Sequence, residues 1–186
     1  MEKYKLFMLM LGCKPKGRHT EQHDIFFGIA LNLKNLIPEL HAFWPEAKDK
    51  LHIDAWREVN YVDDYKVEIV SATAQRENEQ SLFFLNLGGY RPDEFDEPHY
   101  KMLLVTHDKA TAIKRAKESA FYLHNGFKGA VSHIDDKYGV DVDDVFEIED
   151  ILSKQTRKQF KLKLMPANQM IADEIHLGYL PLRNIK

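Results

Sequence analysis

Leu6-Phe7-Met8-Leu9-Met10-Leu11-Gly12 and Leu82-Phe83-Phe84-Leu85-Asn86-Leu87-Gly88 carry one pattern twice, 76 positions apart. Each stretch is apolar on both parities, as a strand buried on both faces is. Each ends on a glycine and enters a loop with a proline, Pro15 or Pro92. The correspondence continues downstream. Glu21-Gln22-His23 lies above Glu97-Pro98-His99 at the same shift. His52-Ile53-Asp54 lies above His133-Ile134-Asp135 at a shift of 81, and Val62-Asp63-Asp64 above Val142-Asp143-Asp144 at a shift of 80. Such small changes of offset are what loop insertions produce, because lengthening a surface connection costs little. Matched blocks in one order point to an internal duplication.

The halves then read alike. Second strands are expected over 23–30 and 99–106, and third strands near 51–59 and 131–136. Fourth segments are expected over 65–70 and 145–151. Between the second and third strands a helix is expected. In the second half Asp108 caps it, Ile113, Ala116, Ala120 and Leu123 form its apolar stripe, and Gly126 ends it. In the first half Asn35 caps a shorter helix with Pro38 in its first turn, where a missing N–H costs little. After a polar linker over 71–80, the second half repeats the first. Beyond it, Phe160, Leu162 and Leu164 alternate with Lys161 and Lys163 as in a half-exposed strand, and Pro166 ends it. A short helix over 167–176 and an apolar anchor over 179–182 are expected next.

The fold class expected is therefore α+β. Two duplicated β-β-α-β-(β) units, with a ferredoxin-like topology as first choice, are related by an approximate two-fold, with a C-terminal extension. The units are placed at residues 1–78 and 79–153, with a basic strand and tail over 154–186.

Composition bounds the function. The chain has 186 residues, 44% apolar and 30% charged. A chain of this size buries about 70% of its unfolded surface, so its core needs no staple. No run reaches the roughly eighteen apolar residues of a spanning helix, so no membrane partner is expected. The apolar N-terminus reads as a strand, not a signal peptide. A net charge of −3 gives no global field that recruits nucleic acid. Apart from the short basic loop 14–19, basic residues cluster in the tail, where Lys161 and Lys163 suit the protection of an edge strand better than nucleic-acid binding. The single cysteine, Cys13, excludes an internal disulfide and any CxxC site, and a reducing, cytoplasmic home follows.

Several of these strings resemble the bacterial domain-of-unknown-function family numbered 1543: Leu11-Gly12-Cys13-Lys14-Pro15, Thr20 to Gly28, His52-Ile53-Asp54-Ala55-Trp56, and Asp93 to His99. The resemblance runs over about residues 5–153, and such proteins carry the domain once or twice. It implies tandem copies in a soluble bacterial protein and brings no activity, substrate or cofactor with it.

The chemistry rests on the repeated polar blocks. Residues i and i+2 of a strand share a face, so Glu21 sits beside His23, His52 beside Asp54, Glu97 beside His99, and His133 beside Asp135. An imidazole–carboxylate pair suits general acid–base work, and His23, Glu21, His99 and Glu97 are the candidates for it. His52, Asp54, His133 and Asp135 are candidate ligand-binding groups, together with Arg18 and His19 from the basic loop 14–19. The second-half loop is acidic instead, so the halves cannot hold one ligand alike. Two imidazoles and a carboxylate also form a ligand set for Zn, Mn or Fe, although no HExxH or CxxC string names a metal cofactor. Three readings stand: a site for a small polar ligand, a metal-dependent enzyme, and a non-enzymatic module in which these residues order loops and a protein partner or second copy binds the surface. Cys13 as a nucleophile is a weaker reading, since the second half has Gly89 at the matching position. Asp141, Asp143 and Asp144 lack the glycine of a calcium loop and read as a turn.

Overall fold

The computed structural model describes residues 3–75, 79–89, 93, 95–125, 141–168 and 171–186. The chain divides into two compact units, Met1–Glu77 with Ile151–Lys186, and Asn78–Asp150. Residues 154–186, set apart from the repeats on sequence, thus belong to the first unit, as do residues 151–153, expected in the second.

In the first unit β1 (Lys5–Cys13) and β2 (Gln22–Ala30) form an antiparallel hairpin, followed by α1 (Ile37–Phe43) and β3 (His52–Glu58). β3 pairs antiparallel with the other edge of β1. β2, α1 and β3 are therefore a split β-α-β around β1, the local motif of a ferredoxin-like arrangement entered one strand earlier. α1 starts with Pro38 in its first turn, as expected. The cap upstream is Asn32, whose Oδ1 accepts from Asn35 N at 3.2 Å, so Asn35 donates its backbone N–H to the cap and is not itself the capping residue. The sheet is completed by β10 (His176–Pro181), giving the order β10-β3-β1-β2.

One face of this sheet carries Phe7, Leu9, Leu11, Phe26 and Ile53, packed on Leu36 and Leu40. Leu9, Leu11, Leu40 and Ile53 are fully buried, and burying each such side chain stabilises by about 1.5–3 kcal/mol. The chain end joins this core through Leu182 and Ile185. Residues 167–168 and 171–175 are not helical: β10 follows instead, with Trp56 stacked on His176 at 3.9 Å. Alternating Phe160-to-Met165 does form a strand, β9 (Phe160–Pro166), which pairs with β5 (Tyr65–Ser71) beside β4 (Tyr61–Val62).

In the second unit β6 (Ser81–Gly88) is central, flanked antiparallel by β7 (His99–Thr106) and β8 (Asp141–Glu147). α2 (Lys109–Asn125) lies between β7 and β8 in sequence. Asp108 caps it as expected, accepting from Thr111 N at 2.6 Å. Ala112 and Ala116 meet Phe83, Leu85, Leu87 and Leu104 in the core. The third strand expected over 131–136 lies outside the described residues, as do His133 and Asp135. The segment expected as a fourth strand forms β8, the third strand of this unit among the described residues, and Ile148–Ile151 turns helical.

Candidate functional site

Gly12 pairs with His23 on one side and His52 on the other, so these two histidines share a sheet face opposite Leu11 and Ile53. Between Met10 and Leu11 the register shifts: Ala55 faces Met10, Ile53 faces Leu11, and Asp54 is the extra residue. Such a bulge bends the strand and re-aims a side chain. It brings the Asp54 carboxylate beside the histidines. Glycine at 12 is required by this approach, because a Cβ there would collide with Asp54 Oδ2 and His52 Nε2.

Four of the candidate side chains meet here. His52 Nε2 lies 3.0 Å from Glu21 Oε1 and 3.4 Å from Asp54 Oδ2. His23 Nε2 lies 3.3 Å from the same Asp54 oxygen. His52 is only 4% exposed, whereas Glu21 and His23 are nearly half exposed. The cluster therefore has a buried side and a solvent side.

The tautomer of His52 follows from its other nitrogen. Nδ1 lies 3.0 Å from the carbonyl oxygen of Lys50. A carbonyl only accepts, so Nδ1 carries the hydrogen and Nε2 of the neutral ring presents a lone pair. That lone pair faces two carboxylate oxygens, and His52 Nε2 and Asp54 Oδ2 are both buried without a hydrogen-bond partner. A buried polar atom left unpaired costs about 1–3 kcal/mol. A nitrogen lone pair facing two carboxylate oxygens needs a positive centre beside it, a proton or a metal ion. Anchoring of the far imidazole nitrogen by a backbone carbonyl is the usual outer support of a metal-bound histidine.

Arg18 and His19 lie on the exposed connection between β1 and β2, where Gly17 takes a φ of +84° and Arg18 N donates to Pro15 O. Cys13 points the other way, into the core, and burial pushes its thiol pKa up against the opposing charge of Lys50. A thiol so placed is inert.

Among the described residues the second unit brings Glu97 and His99 together with Asp143; His133 and Asp135 lie outside them. Gly88 pairs with His99 and Asp141, and Asp143 is the extra residue of a bulge between Asp144, opposite Asn86, and Val142, opposite Leu87. Asp143 thus stands at the register position of Asp54, and a Cβ on Gly88 would collide with its carboxylate as one on Gly12 would with Asp54. Read as a turn residue on sequence, Asp143 carries a signal in hindsight: Val142-Asp143 repeats the apolar–acid order of Ile53-Asp54.

The α+β architecture and this site define a class by geometry, and comparison with known proteins adds two findings. The Domain of Unknown Function DUF1543 matches residues 18–69 in a single copy, a span that contains all four clustered side chains. Protein Il1583 from Idiomarina loihiensis, known from a crystal structure, is similar in fold: 20% identity and a TM-score of 0.63 over 96% of this chain and 98% of that one. No curated protein matches the sequence. Among the described residues no helix is long and apolar enough to cross a membrane.

Proposed function

We propose that the first unit is a divalent-metal-binding domain in which Glu21, His23, His52 and Asp54 hold a Zn²⁺-, Mn²⁺- or Fe²⁺-class ion, and that the ion presents a coordination position to a small polar ligand. The observation that carries this reading is His52 Nε2, buried and without a hydrogen-bond partner, facing Asp54 Oδ2, which likewise has none. Two imidazoles and two carboxylates suit this group of metals. His52 and Asp54 supply the buried donors. Glu21 and His23 supply donors at the solvent side, where one can yield its place to an incoming ligand. The neighbouring loop carries Lys14, Lys16 and Arg18, which favours an anionic ligand such as a carboxylate or phosphate. When bound, the ion supplies Lewis acidity and activated water.

The duplicated origin read from sequence has support in the common order of the two units, each with, among the described residues, its first strand flanked by two others, a bulged aspartate on the third, and a glycine opposite.

The test is titration of the chelator-stripped full chain with Zn²⁺ by calorimetry, beside His52→Ala and Asp54→Asn. We expect tight binding in the wild type and at least about a hundredfold loss in either variant, since even outer-shell changes cost 10–100-fold. Equal affinity in wild type and His52→Ala sinks the proposal. It would leave His52–Glu21 and His23–Asp54 as imidazolium–carboxylate pairs that order the loop, the interaction-module reading.

A further inference from the structure

We infer that the second unit carries its own, weaker divalent-cation site, built from Glu97, His99 and Asp143. One ligand atom from each lies within 4.8 Å of the other two. His99 Nε2 and Asp143 Oδ2 are 3.2 Å apart. An imidazole with two carboxylates is a mixed N/O donor set, and its oxygen-rich balance favours Mn²⁺ and similar hard ions.

The placement of these donors is the second line of argument. His99 faces Gly88 across the hairpin as His23 faces Gly12. Glu97 precedes His99 by two residues as Glu21 precedes His23. Asp143 bulges from the third strand toward the glycine as Asp54 does. On the same face of β6, two residues before Gly88, Asn86 leaves Oδ1 buried without a hydrogen-bond partner while its Nδ2 donates to Asp144 at 3.2 Å.

The differences from the first unit set the affinity. Position 52 is an imidazole, whereas the residue at the same register in β8 is Asp141. All three donors are exposed, so water competes for the ion and screens the carboxylates. Lys101, on the His99 face, donates to the His99 carbonyl at 3.4 Å, and its charge opposes a cation. Asp93 and Asp96 of the preceding loop add negative charge where the first unit has lysine and arginine, so this site takes a bare cation rather than an ion with an anionic ligand.

The experiment counts Mn²⁺ by the loss of the free-ion EPR signal on titrating the full chain. We expect two ions per wild-type chain, with dissociation constants at least about tenfold apart. The double variant His99→Ala/Asp143→Asn should keep only the tight ion, and His52→Ala only the weak one. Glu97→Gln, an exposed and mild change, should weaken the second ion alone, and circular-dichroism melts should show each variant folded. Loss of the weak ion in the double variant together with an unaltered tight phase in His52→Ala would sustain this inference while removing the first-unit reading. Two ions retained by the folded double variant, or one ion in the wild type that His52→Ala abolishes, would overturn it.

Discussion

The phenol ring of Tyr179 lies against the imidazole of His52, with ring centroids 4.4 Å apart and planes inclined by 44°. The C-terminal strand thereby covers the ring whose Nε2 stands at the centre of the first cluster. β10 makes room for the contact by its own register shift between Leu177 and Leu180, where Gly178 takes a φ of +126° that disfavours other residues. We expect Tyr179→Ala to speed the release of bound Co²⁺ and to alter its d–d absorption, and Tyr179→Phe to restore both. A variant that unfolds earlier on heating but keeps the wild-type spectrum would assign Tyr179 to stability alone.

The two glycines offer a contrast in burial. Gly12→Ala forces a methyl group against buried Asp54 Oδ2 and His52 Nε2, and overpacking of this kind costs about 1–3 kcal/mol. The Asp143 carboxylate facing Gly88 is partly exposed and can swing away. Thermal melts should therefore show Gly12→Ala clearly destabilised and Gly88→Ala much less so, while each loses cation binding in its own unit.

Ion binding to the native state must raise stability by mass action. At a free Zn²⁺ concentration about 100 times the dissociation constant the gain is about 2.7 kcal/mol. Addition of EDTA to loaded wild type should lower the melting temperature, and His52→Ala should be insensitive to the chelator. A chelator effect of equal size in both proteins would contradict assignment of the ion to this cluster.

Asp173 reaches back over 113 positions to the turn after β3 and accepts from Asn60 N at 3.0 Å, Asn60 Nδ2 at 3.1 Å and Tyr61 N at 3.4 Å. Its removal leaves part-buried backbone donors unpaired, at a cost of about 1–3 kcal/mol. Denaturant unfolding of Asp173→Ala should show that loss, and Asp173→Asn should recover part of it by keeping one acceptor oxygen.

Asp108 at the start of α2 has a lowered carboxyl pKa, chiefly because it accepts the backbone N–H of Thr111. The folded-state value lies below the unfolded one, so its contribution is complete above the unfolded value of about 3.9 and is lost as the pH falls through the lower folded value. Asp108→Ala should therefore be less stable than wild type at pH 7. The gap should close under acid denaturation conditions, and a gap constant down to the lowest pH would remove the charge from the explanation.

Much of the architecture was legible because it was written locally. The doubly apolar stretches that end at Gly12 and Gly88 read as central strands and are so. Pro38 and Asp108 announced helix starts by their own chemistry. The Glu-x-His and His-x-Asp blocks of the first half named the four residues that meet, because His23 and His52 both pair with Gly12, although Asp54 reaches them through a bulge and not through period-two alternation. Asp143 escaped, since a bulge adds a residue and breaks that period, so matching blocks by spacing alone paired it with the turn at Asp63. The strand at 176–181 also escaped: its pairing with β3 depends on residues more than a hundred positions away, and Tyr179 and Leu177 remain exposed, so no burial pattern marked it.

The stack of His176 on Trp56 turns the docking of the last strand into an optical quantity. The protein has two tryptophans, and only Trp56 is in ring contact with an imidazole among the described residues. An imidazole held on an indole face draws off its excited state, so peeling the carboxyl-terminal segment from its neighbour should brighten emission. The molecule thus contains its own fluorescent gauge for the seating of the strand that carries Tyr179.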